Sequence, residues 1–154
     1  MIDHPPKSMA WHDGFLLGHG PMDEIHHEFV SQLARLAHAP REQVRDELEA
    51  LRVHCRRHFE EEERWMTETD FPGRECHAAE HLAVLRSLDG ICQKVDQGDT
   101  AAATRLAQAL AEWFPAHADY LDAPLSHWLS KRRLGGKPVV LRRRLPGQAP
   151  ASVR

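Results

Sequence analysis

Cysteine is scarce in this 154-residue chain, and the little present does not pair. Cys55, Cys76 and Cys92 are odd in number and form no C-x-x-C, which argues against a disulfide framework or a zinc knuckle and fits a reducing compartment. Long apolar runs are missing too. No stretch of ~18 apolar residues occurs, and the first seven residues, M-I-D-H-P-P-K, carry no apolar signal core. A soluble, cytoplasmic protein without a transmembrane segment is therefore expected. Little of the chain alternates with the period of a strand, and no internal repeat is visible. Acidic residues are absent from one region only: residues 131–154 hold eight Lys/Arg and no Asp or Glu. Residues 1–130 hold 12 Lys/Arg against all 23 acids, so the overall net charge of −3 hides an acidic body and a basic tail. An acidic body is a poor nucleic-acid binder, and no nucleic-acid partner is expected.

What is present is helical rhythm. Met22, Ile25, Phe29, Leu33 and Leu36 step by three and four, predicting a helix near 21–38 with Pro21 in its first turn. Val44, Leu48, Leu51, Cys55, His58, Glu62 and Trp65 predict a second over 41–67, ended by Phe71-Pro72-Gly73. His77, His81, Val84, Leu88, Ile91 and Val95 predict a third over 74–97. Leu106, Leu110, Trp113, His117 and Tyr120 predict a fourth over 101–122, adjusted by Pro115 and stopped before Pro124. Four amphipathic helices with short connections point to an all-α, antiparallel up-and-down four-helix bundle with a short C-terminal basic extension. The expected division is an N-terminal arm (1–20), the bundle (21–130) and a basic tail (131–154).

Polar residues interrupt the apolar stripes. His58, Glu62, His77, His81 and His117 occupy positions where Leu or Val belongs, and an unpartnered buried carboxylate is costly. In an up-and-down bundle the start of helix one, the end of two, the start of three and the end of four share one end. His26, His58 and Glu62, His77 and His81, and His117 and Asp122 all fall near that end. Residues at i and i+4 stack on one face, so His58/Glu62 and His77/His81 can each grip one centre. His117 and Asp122, at i+5, diverge by over a third of a turn on an α-helix, which suits a carboxylate reaching sideways. Seven ligands exceed the needs of one tetrahedral zinc and suit two metals, with imidazoles terminal and both carboxylates bridging. Histidine-rich ligation without thiolate fits iron, with manganese or zinc as substitutes.

The same residues carry a family resemblance. Trp11, Leu17-Gly18, the run Met22 to His27, H-F-E-E-E-E-R-W-M from His58 to Met66, Phe71-Pro72, H-A-A-E-H from His77 to His81 and W-F-P-A-H-A-D-Y-L-D from Trp113 to Asp122 resemble bacterial single-domain hemerythrins over about residues 11–129. The resemblance implies an oxo- or hydroxo-bridged, non-haem centre of two iron ions. One iron would be held by His77, His81 and His117 and the other by His26 and His58, with Glu62 and Asp122 bridging. The two-histidine iron would keep an open position for O2. Phe59, Trp113, Phe114 and Ala118 are the expected O2-pocket residues. Phe114 and Ala118 replace residues that are usually aliphatic in the family and so reshape that pocket.

Reversible O2 binding, for delivery, storage or sensing, is accordingly the expected function, and the protein is read as not an enzyme. The alternatives are a di-iron enzyme handling peroxide, NO or O2 reduction, and an iron store or donor. The chain has five ligand histidines to two carboxylates and no Glu-x-x-His pair of the oxygen-activating kind, which favours binding. The tail 131–154 reads as a solubilising extension, or alternatively as an arm docking on an acidic protein or membrane surface through charge and Val139-Val140-Leu141. His4, His12, His19, His27 and His38 read as solvated, His127 as part of the C-terminal packing or exposed, and His54 as a helix-surface histidine or a support behind the ligands.

Overall fold

The computed structural model describes residues 9–133, which are helices and their connections with no strand. Helix α1 spans Gly20–Ala37, α2 Val44–Glu68, α3 Arg74–Asp96, α4 Ala101–His117 and α5 Ala123–Arg133. Each of the four long helices packs on its sequence neighbour, and α4 packs back on α1 to close the ring. Connections of a few residues make successive helices antiparallel. The fold is the four-helix bundle that the periodicity predicts. No helix among the described residues is long and apolar enough to cross a membrane.

The apolar stripes face inward as spaced. Phe29, Leu33, Leu48, Leu51, Leu88 and Phe114 belong to a large core along the bundle. A smaller core, Leu17, Met22, Met66 and Leu125, closes one end, with Trp65, Phe71 and Leu129 packed against it. The register between the two is informative. On α1, His26 lies between Met22 of the small core and Phe29 of the large one; on α2, Glu62 lies between Met66 and Phe59; and Asp122 lies between Leu125 and Ala118. Buried polar residues thus form a layer sandwiched between two apolar ones.

The segment before α1 helps to close that end. The Asp23 carboxylate accepts from Leu17 N–H (2.8 Å) and Gly18 N–H (3.2 Å), and the Ser126 hydroxyl donates to the Leu17 carbonyl (2.8 Å). Leu17 is therefore clipped to both α1 and α5. The clip needs a left-handed residue at its corner, which Gly18 supplies with φ of 91°.

The last third of the bundle departs from expectation in three ways. First, the fourth helix is not one α-helix over 101–122: α4 ends at His117, and Ala118–Asp122 form a π turn in which Ala123 N–H bonds the Ala118 carbonyl. Pro115 stays inside α4, where its missing N–H frees a carbonyl one turn upstream rather than within the π turn. Second, Pro124 does not end the helix. It occupies the second position of α5, which continues from the π turn without a break, so its missing N–H falls opposite a carbonyl of that turn, and the helix runs on to Arg133. Third, Tyr120 leaves the buried stripe and is 79% exposed, because the π turn slips the register while Ala118 and Asp122 stay inside. Lys131–Arg133, which the charge count assigns to the tail, form the end of α5. The rest of the expected tail, like the first eight residues of the arm, lies outside the described residues.

Candidate metal centre

All seven sequence-predicted ligands meet in one buried layer, none more than 4% exposed. The π turn resolves the spacing problem of His117 and Asp122. Residues five apart stack when the hydrogen bonds run from i to i+5, so both side chains face the same centre.

The contacts divide cleanly between the carboxylate oxygens. Glu62 Oε1 lies 3.2 Å from His26 Nε2 and 2.9 Å from His58 Nε2. Its partner Oε2 lies 3.1 Å from His81 Nε2 and 3.4 Å from His77 Nε2. Asp122 repeats the division: Oδ2 lies 3.1 Å from His26 Nε2, while Oδ1 lies 2.9 Å from His77 Nε2 and 3.2 Å from His117 Nε2. Each carboxylate therefore faces two nitrogen groups, one with each oxygen. The ligand atoms fall into two groups, Glu62, His77, His81, His117 and Asp122 in one, and His26, His58 and Glu62 in the other, with all atoms of a group within 4.8 Å of one another.

Taken by themselves, these side chains are poorly satisfied. The buried Nε2 atoms of His77, His81 and His117, Oε2 of Glu62 and both Asp122 oxygens make no hydrogen bond. Each such group costs about 1–3 kcal/mol when left unpaired, which a shared cation removes. Convergent imidazole nitrogens and carboxylate oxygens, dry and without a thiolate, fit borderline divalent cations such as iron, manganese or zinc. Cys55, the one fully buried cysteine, belongs to the large core, where burial pushes its thiol up to about 12.

Electrostatics within the layer are strongly coupled. Burial alone would lower His26, but the adjacent Asp122 and Glu62 carboxylates outweigh it and raise the imidazole to about 10. The same balance raises His77 to about 9. At His58 burial prevails over Glu62, and the ring is held below the usual histidine value. Burial opposes ionisation of Glu62, yet the field of His58 and hydrogen bonds from the surrounding histidines hold it well below the carboxylate range. Asp122 is also lowered: burial and the neighbouring Glu62 charge oppose its ionisation, but the close imidazoles of His117, His26 and His77 outweigh them.

Two acids that the spacing left out support the histidines from behind. Glu80 Oε1 accepts from the Trp113 indole N–H at 2.9 Å and lies 3.0 Å from His117 Nδ1. Glu63 Oε2 lies 3.5 Å from His81 Nδ1. The Glu80 contact places the proton of His117 on Nδ1 and turns its Nε2 toward the centre. Glu80 stands inside the H-A-A-E-H motif, one residue before His81, but it is 41% exposed and off the apolar stripe, so register gave no sign of it.

Aromatic rings wall the layer. Phe59 stacks on His81 with centroids 4.0 Å apart, and Trp113 on His117 at 4.2 Å. Phe114 meets His26 edge-on at 5.2 Å, and Ala118 is buried in the large core. All four expected pocket residues are thus near the layer, but only Phe114 borders the two-histidine half alone. Phe29, read only as core, joins it there, 5.3 Å from Phe114 and 5.9 Å from His58. His54 is not one of the converging ligands. Its side chain is 9% exposed, packed beside Phe29 and His58, and burial with the nearby His58 and Arg57 lowers it to about 3.

A four-helix bundle with two adjoining histidine–carboxylate groups in one buried layer defines a helical cation-binding protein. Residues 19–124 match the Hemerythrin HHE cation binding domain. The chain is also 34% identical over 124 residues to a bacteriohemerythrin from Ralstonia nicotianae (strain ATCC BAA-1114 / GMI1000), covering 80% of this chain and 90% of that one. No solved structure matches it. The chain belongs to the hemerythrin family.

Proposed function

We propose that the protein binds O2 reversibly at a di-iron centre, with His77, His81 and His117 on one iron, His26 and His58 on the other, and Glu62 and Asp122 bridging. The observation that carries this reading is the division of oxygens: each carboxylate turns one oxygen to each histidine group. The name of the Ralstonia relative supports it. Held by these residues, a pair of ferrous ions would supply the coordination position and the electrons that O2 requires.

The chain's own residues account for the asymmetry. One half has three imidazoles and two carboxylate oxygens; the other has two imidazoles and two carboxylate oxygens, one protein ligand fewer. The half with fewer ligands is the one bordered by Phe114 and Phe29. Those rings bring no proton donor, and further reduction of O2 needs protons. The arrangement thus favours binding over turnover, and delivery, storage or sensing over catalysis. A cytoplasmic location fits the unpaired cysteines, and the tail 131–154 remains a candidate docking arm.

The test is the absorption spectrum of iron-loaded protein reduced without air, recorded again after air and after argon purging. A charge-transfer band that appears with air and disappears on purging is expected. Immediate, permanent oxidation would replace this reading with that of a di-iron enzyme.

A further inference from the structure

We propose that the cleft between α1 and α2 is the loading site through which a divalent cation reaches the two-histidine half, held in passing by Glu28 and His54. The inference rests on the reading that the buried layer holds metal.

The cleft has a volume of about 470 Å³, and His58 is the one member of the seven-residue layer that lines it. It therefore opens on the half that lacks a third histidine. Four carboxylates, Glu24, Glu28, Glu60 and Glu61, border it against two guanidiniums, Arg57 and Arg64. Arg64 is already engaged by Glu61 and Glu68. The remaining field is negative, which concentrates cations at the mouth and offers nothing to neutral O2.

His54 gives the cleft a ligand as well as a charge. It lines the cleft one helical turn before His58, with ring centroids 5.4 Å apart. Its side chain is nine-tenths buried, Nε2 has no hydrogen-bond partner, and Nδ1 lies 3.6 Å from Glu28 Oε2. The buried Nδ1 of His58 is unpartnered too. The Glu28 carboxylate, 61% exposed, can take a hydrated cation from water and share it with His54, one imidazole away from the centre. His54 and Glu28 stand outside both groups of the centre, so this role requires no change in its final ligands.

The test is stopped-flow loading of metal-free, full-length protein with Co(II), followed by its visible absorption, with the final metal content measured separately. Glu28→Gln, at an exposed position that leaves the fold intact, is expected to slow loading about 10-fold, the low end of electrostatic rate enhancement, and to still reach two metals per chain. His54→Gln is expected to slow it similarly. Glu42→Gln, which removes the same charge from the connection before α2, is expected to load at the wild-type rate. Equal rates in all four proteins would overturn the proposal, as would equal slowing by Glu42→Gln, which would mean that only overall charge matters. Wild-type protein that binds no metal would overturn the reading of the centre and the loading site with it.

Discussion

Glu80 illustrates what residue-scale reading of this chain can and cannot reach. The seven converging side chains were legible because a charged or imidazole group on an apolar stripe must be satisfied from inside. Glu80 lies off the stripe, so only the folded arrangement reveals that it holds Trp113 and His117 together. Glu80→Gln keeps an acceptor for Trp113 but removes the charge behind His117. Metal affinity is expected to fall about 10-fold to 100-fold, as for other outer partners of ligating histidines. Competition with a chelator measures it. Because Glu80 is 41% exposed, thermal stability without metal should change little. Unchanged affinity would mean that the Glu80–His117 contact has no influence on the centre. Phe29 was legible as an apolar core residue, but its place beside His58 depends on how α1 lies against α2, which no single-helix pattern encodes.

At the scale of elements, the three α-helices before α4 follow their periodicity within a few residues at each end. The fourth does not, and the reason is the π turn. Read as α-helix, an i+5 pair diverges; read as π, it converges. The two prolines at 115 and 124 and the i+5 ligand pair were the visible signs, but proline signals only that donors are missing, not how the backbone compensates. Deleting Tyr120 tests the role of the turn. The side chain is exposed, so the deletion removes little packing, and it brings His117 and Asp122 to an i+4 spacing, which shares one face of a plain α-helix as i+5 does of a π turn. The deleted chain is expected to remain helical by circular dichroism and to keep the paired metal site by metal analysis. Tyr120→Ala, which keeps the register, should retain it and shift stability by no more than about 0.5 kcal/mol. A deletion variant that loses the paired site would show that the π turn itself, and not only a shared helix face, is required.

On the scale of the whole molecule, the polar layer lies between two apolar cores, and that placement governs its response to pH. Without metal, His26 at about 10 and His77 at about 9 are both raised above the unfolded value of 6.5. Their stabilising contribution is fully present below pH 6.5 and is lost as pH rises through about 9 to 10. His54 has the opposite sign: lowered to about 3, it contributes above pH 6.5 and loses that contribution as pH falls toward 3. Metal-free protein should therefore melt at its highest temperature near neutrality and at a lower one near pH 10. Metal-loaded protein should not show the alkaline loss, because a coordinated imidazole needs no proton to hold Glu62 and Asp122. Thermal melts of both forms across this range check the sign. The end of the bundle where the layer sits could be argued from the sequence because helix order and short connections fix which ends coincide. The clip at Leu17 and the smaller core could not, since they join residues 109 positions apart through one serine hydroxyl.

The most direct test of the centre is anomalous scattering from crystals of iron-loaded protein at the iron edge. Two iron peaks are expected within the layer, one among His77, His81 and His117 and one between His26 and His58, both spanned by Glu62 and Asp122. A single peak, or peaks not spanned by those carboxylates, would contradict a centre shared between the two halves.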